Sequence, residues 1–153
     1  MTGLYYEELE IGATVETAGR TVTESDIVTF AGLSGDYNPL HTDAVYAAET
    51  PFGARVAHGM LGLSIATGLS YRLGFLEGTV EAFIGLEWKF RAPIFIGDTI
   101  HARITVKEKR EMPGYAGGLV TLEVVLLNQE GKRVQKGRWT VLVRARPSVD
   151  EEA

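Results

Sequence analysis

The segment from His58 to Gly74, HGMLGLSIATGLSYRLG, limits the possible folds of this chain more than any other. Its spacing suits a helix, yet apolar residues fall on nearly every side, with Gly59, Gly62, Ala66 and Gly68 among them. A helix that is apolar all round is normally buried. Counting Gly74, four glycines lie in the segment, and each costs about 1 kcal/mol in a helix interior. Packing from outside must therefore hold this helix in place. The second half of the chain offers the material to do so. Val80 to Arg91, Thr99 to Lys107, Leu119 to Asn128 and Val134 to Arg144 alternate with period two and are rich in β-branched and aromatic residues. Turn formers separate them at Ala92-Pro93, Gly97-Asp98, Pro113-Gly114 and Gly131. An antiparallel sheet wrapped around a long central helix buries both apolar surfaces, which gives an α+β class and a single domain over residues 1–147.

The first third is mixed. Ala13 to Val22 reads as a strand. Thr23-Glu24-Ser25-Asp26 resembles a capping box, followed by Ile27, Val28, Phe30, Ala31 and Leu33 as the apolar face of a short helix. Gly35 to Pro39 ends that helix, because Pro39 disfavours helix at the residue before it. A second short helix is expected over Asp43 to Ala48. No repeat or linker divides the chain, and the acidic tail 148–153 is expected to be disordered.

With 153 residues, the chain can bury roughly two-thirds of the surface its unfolded form exposes. It has no cysteine, which removes disulfides, thiolate metal sites and cysteine nucleophiles. A net charge of −5 argues against nucleic acid and anionic membrane as partners. Met60 to Leu69, the longest apolar stretch, is far shorter than the ~20 residues that span a bilayer. The amino end lacks the basic and apolar blocks of a secretory signal, so a cytoplasmic protein is expected.

Three histidines could carry chemistry. His101 lies in an alternating strand and is assigned no role. Asp36 and His41 are five apart across a turn stiffened by Pro39, and a turn can aim both at one point. An Asp beside an imidazole can fix its tautomer, or the two can act on one water. As residues alone, the ordinary alternative outweighs this: Asp36 and Asn38 are common turn formers that bond local backbone. His58-Gly59 opens the apolar helix, where unpaired N–H groups and about half a positive charge collect. A ligand oxygen could approach Gly59 closely, as in an oxyanion site; equally, Gly59 could ease the start of the helix and His58 could cap it. No metal-ligand spacing supports an ion at Asp36, His41, Asp43 and His58. Neither a Gly-x-Ser-x-Gly elbow nor a phosphate loop is present.

Taken together, these segments resemble the MaoC-like dehydratase family, which includes the (R)-specific enoyl-CoA hydratases. The likeness covers Tyr5 to Arg144. It rests on Phe30 to Asp43 (FAGLSGDYNPLHTD), then Ala57-His58-Gly59-Met60, then Phe90-Arg91-Ala92-Pro93 through Gly97-Asp98. The resemblance implies a hotdog fold and reverses the weighting for Asp36 and His41, which become a catalytic pair acting on one water. That water would attack the β-carbon of a trans-2-enoyl thioester, with a proton delivered to the α-carbon on the same face. The Gly59 N–H becomes the oxyanion donor, with Asn38 and His58 in support. Thr67 falls where the family often has a small hydroxyl residue near the site. No cofactor and no metal are implied. The implied partners are an acyl-CoA or acyl-carrier-protein thioester and a second copy of the chain, with the thioester running along the subunit interface. Arg55, Arg72, Lys89 and Arg91 are candidates for contacting coenzyme A phosphates, though each also suits an ordinary surface charge.

Two other functions fit the same fold. A hotdog thioesterase usually carries a carboxylate on or beside the central helix, and His58 to Gly74 has none. A non-catalytic acyl-binding subunit of a dehydratase complex would be expected to lack Asp36 or His41.

Overall fold

The structure, a computed structural model, describes residues 3–148. A 3-10 turn at Tyr6–Glu8 leads into two short strands, β1 (Thr14–Glu16) and β2 (Arg20–Thr21). Four helices follow: α1 (Glu24–Ser34), α2 (Pro39–Thr42), α3 (Ala44–Ala48) and α4 (Gly59–Tyr71). The chain ends in four long strands, β3 (Val80–Phe90), β4 (Thr99–Glu111), β5 (Gly117–Leu127) and β6 (Arg133–Arg144). All pairings are antiparallel. The order is β1-β4-β5-β6-β3, with β2 also on β4.

Period-two alternation turns one sheet face inward. Ile100, Ala102, Ile104 and Val106 from β4 form one buried cluster with Val120, Leu122, Val124 and Leu126 from β5 and with Trp139, Val141 and Val143 from β6. Leu61, Ile65, Ala66 and Leu69 of α4 complete it. Each such aliphatic side chain contributes about 1.5–3 kcal/mol when fully withdrawn from water. This packing answers the glycine cost of α4, and the arrangement is the expected hotdog: an antiparallel sheet curled around a central helix.

Three local expectations need correction. The sheet wraps α4 incompletely, so Met60, Ser64, Thr67 and Tyr71, spaced along one stripe, are exposed. The two hydroxyls there bond within the helix, Ser64 Oγ to Met60 O (2.8 Å) and Thr67 Oγ1 to Ser64 O (2.7 Å). Along α1 only Ile27 and Ala31 are fully buried; Val28 and Leu33 are 56% and 82% exposed, because an i, i+4 stripe is all that faces the core. The expected strand over Ala13 to Val22 is broken at Thr17–Gly19. There Thr17 Oγ1 accepts from the Ala102 N–H (2.9 Å) and interrupts the ladder. The capping box stands: Thr23 Oγ1 accepts from Asp26 N–H (3.2 Å) and Asp26 accepts from Thr23 N–H (2.9 Å). The second short helix begins at Ala44, with Asp43 as its cap. Residues 149–153 of the expected tail lie outside the described residues.

Candidate active site

The site is built first by a loop that ties itself down. α1 stops at Gly35, whose left-handed φ of 75° lets its N–H reach Ala31 O at 2.8 Å. Ser34 Oγ then accepts from Asp36 N–H (3.1 Å), Asp36 Oδ1 from Asn38 N–H (3.1 Å), and Asn38 Oδ1 from Leu40 N–H (3.0 Å). Asn38 thereby caps α2, with Pro39 as its first residue. The one-turn helix α2 was not anticipated, since the Asn-Pro signal reads equally as a turn; it carries His41 inward.

His41 Nδ1–H donates to the Val56 carbonyl at 2.7 Å. A carbonyl can only accept, so the neutral ring keeps its lone pair on Nε2. His58 holds the N-cap position of α4 but makes no side-chain capping bond. Instead, its Nε2–H donates to the Asp36 carbonyl at 2.9 Å. Its ring stacks on His41, with centroids 3.9 Å apart and planes 28° from parallel, and leans on Phe30. Donor atoms of Asp36, His41 and His58 all lie within 4.8 Å of one another. One water touching two such groups at hydrogen-bond distance spans roughly 4–5 Å. Asp36 is exposed, His41 half-buried and His58 buried.

The start of α4 faces the same space. Leu61 and Gly62 N–H groups bond His58 O (3.0 and 3.3 Å), and Gly59 and Met60 N–H have no acceptor among the described residues. A cavity of about 490 Å³, mostly apolar, is walled by His41, Gly59, Met60, Phe90 and Gln135 among others. Gly59 lets the Phe90 ring lie close: a Cβ would sit 2.6 Å from it unless the ring moved. The structure thus brings Asp36, His41, His58 and Gly59 together, with Asn38 as the loop's cap.

Thr67 does not join them. It is exposed on α4, more than two turns from Gly59, and bonds its own helix. His101 is 4.0 Å from Glu16 Oε2 on the sheet, away from the site. Among the basic candidates, Arg55 pairs with Glu24 (2.5 Å) and Arg91 lines the cavity. The Phe90–Asp98 motif is divided: Phe90 to Pro93 line the cavity, and the rest is scaffold, with Ile94 O accepting from Ala57 N–H (2.8 Å) and Asp98 Oδ2 from Phe95 N–H (2.8 Å). Val56, Phe90 and Gln135 escaped the sequence reading as site residues. Gln135 left one signal, a polar residue in the inward register of β6.

The acid–imidazole cluster is poorly shaped for an ion. The near-parallel imidazole rings set their in-plane lone pairs side by side, whereas a zinc-type ion needs them converging at about 2.0–2.1 Å.

A hotdog sheet carrying an acid–imidazole pair beside free helix-terminal amides defines a class of site suited to polar chemistry at an acyl group. Residues 7–127 match the MaoC like domain model, and the chain belongs to that family. It is 38% identical over 143 residues to the (R)-specific enoyl-CoA hydratase of Rhodospirillum rubrum, covering 93% of each chain. It is 41% identical over 106 residues to the 3-hydroxybutyryl-CoA dehydratase of Methylorubrum extorquens, 69% of this chain and 65% of that relative's length. Among solved structures, the monoamine oxidase regulatory protein of an Archaeoglobus superposes with a TM-score of 0.89 at 41% identity, covering 96% of this chain and 98% of the other.

Proposed function

We propose that the protein is a hydro-lyase that adds water to trans-2-enoyl-CoA, giving (R)-3-hydroxyacyl-CoA, and runs the dehydration in reverse. The observation that carries this reading is the grouping of Asp36 with the His41 and His58 imidazoles within 4.8 Å, beside a cavity walled by His41 and by Gly59, whose N–H has no acceptor among the described residues. A water held between Asp36 and His41 gives up a proton to the pair as its oxygen bonds the β-carbon. The α-carbon takes a proton back from the pair, so atoms balance and the protein returns unchanged. Meanwhile charge builds on the thioester oxygen, where the Gly59 N–H and the helix dipole stabilise it. The names of both relatives support the reaction, and that of the Rhodospirillum rubrum relative supports its hand.

Two copies of the chain are expected to act together. One sheet edge is the short pair β1 and β2, and the other is the 11-residue β3. That edge exposes Phe83, Ile84, Leu86 and Phe90, an apolar row of the kind that pairs with another chain. Because Phe90 also walls the cavity, pairing there would set the thioester beside the interface.

A thioesterase is disfavoured because α4 has no carboxylate. Incubation with crotonyl-CoA is expected to yield (R)-3-hydroxybutyryl-CoA without free thiol. Release of coenzyme A thiol would identify a thioesterase instead, and an (S) product would overturn the proposed geometry.

A further inference from the structure

Gln135 has no place in the chemistry above, yet it is buried to 2% exposure in a row of β6 that otherwise turns Gly137, Trp139, Val141 and Val143 inward. A buried amide without partners is costly. This one has two: its Nε2–H donates to the Gly59 carbonyl at 3.0 Å, and its Oε1 accepts from Trp88 Nε1–H at 2.9 Å. Trp88 thus fixes which end of the amide faces Gly59. Room for it exists because Gly62 has no side chain; a Cβ there would lie 2.4 Å from Gln135 Nε2. A register shift in the β5–β6 pairing beside Gln135 brings both Val134 and Gln135 into buried positions.

These contacts converge on the first residue of α4, just beyond the His58 ring that Asp36 O, His41 and Phe30 hold. His58 does not cap α4, and Gly59 is the most flexible residue type in the first position. Gly59 is instead flanked by the Phe90 ring and held through its carbonyl by Gln135. We propose that Gln135 is a positioning residue: by holding the Gly59 carbonyl from outside the helix, it keeps the Gly59 N–H aimed into the cavity. The inference rests on the hydratase reading, in which that N–H faces the developing oxyanion.

Gln135→Met keeps the volume and removes both hydrogen bonds. With crotonyl-CoA, kcat is expected to fall by about tenfold or more while KM changes less than about threefold, since small misplacement at the reacting centre costs rate more than binding. Trp88→Phe, which frees the amide to turn without emptying the core, should show the same kcat-selective loss in milder form. Gln135→Glu retains the Trp88 bond but presents an oxygen to Gly59 O, and should match or exceed the Met variant. Unchanged kcat in Gln135→Met, or equal losses in kcat per folded protein and in 1/KM, would overturn the proposal. Should Gln135→Met not fold, Trp88→Phe decides alone: wild-type kcat there would overturn it. Wild-type protein inactive on crotonyl-CoA and longer enoyl-CoAs would instead sink the hydratase reading beneath it.

Discussion

Asp36 and His41 are held by different things, which makes their roles separable by substitution. Asp36 is fixed through its backbone, between Ser34 Oγ and the His58 ring, and through Oδ1 on the Asn38 N–H, which an amide oxygen can also accept, whereas His41 is fixed through Nδ1 on Val56 O. Asp36→Asn therefore keeps the backbone anchors and loses the charge; hydratase turnover should drop by about a hundredfold or more with little change in melting temperature. His41→Ala should lose about as much, and the double variant little beyond either, as expected of groups acting as a unit. Additive losses in steady-state kinetics would mean separate steps. Gly59→Ala probes the other side of the site. The exposed Phe90 ring can swing from the new methyl, and alanine regains up to ~1 kcal/mol of helix propensity. Stability should thus stay within about 1 kcal/mol, while turnover falls by about tenfold as the methyl obstructs the oxyanion. Asp36, His41 and Gly59 were legible because they sit in contiguous motifs. Val56 was not, since its part is a backbone carbonyl that only the fold brings near.

At the scale of elements, the glycines of α4 divide by what surrounds them. Gly62 faces Gln135, which is held at both ends and cannot retreat. Gly62→Ala should cost about 1–3 kcal/mol from overpacking and broken hydrogen bonds. Nothing lies within 4 Å of a Cβ at Gly68, so Gly68→Ala should stabilise by about 0.5–1 kcal/mol. Urea unfolding of both variants checks the pair of signs. β3, β5 and β6 lie within two residues of their expected bounds because a two-residue period with one buried face leaves little freedom, whereas β4 runs on from Lys107 to Glu111. The exposure of Met60, Ser64, Thr67 and Tyr71 did not emerge. Composition shows that a helix is apolar but says nothing of how far a sheet can curl around it. The break at Thr17 was likewise hidden, because it depends on a hydroxyl meeting Ala102 on a strand far away in sequence.

At the scale of the molecule, the long apolar edge of β3 gives the assembly expectation. Light scattering on purified protein should return about twice the chain mass of 16.7 kDa. Ile84→Lys with Leu86→Lys should shift it to the monomer, as lysines on an edge strand oppose pairing; a wild-type monomer would contradict edge-to-edge association. That a sheet wraps a helix was readable from pattern alone, whereas the free edge could be known only from the strand order. The same order sets the cavity between α4 and the end of β3, so the site and the free edge lie side by side. The most direct test of the central claim follows enoyl-thioester absorbance after mixing purified protein with crotonyl-CoA, with Asp36→Asn alongside. The expected result is a rapid fall in absorbance with wild type and almost none with the variant. Equal decay in both would remove Asp36 from the chemistry and contradict a water held between Asp36 and His41.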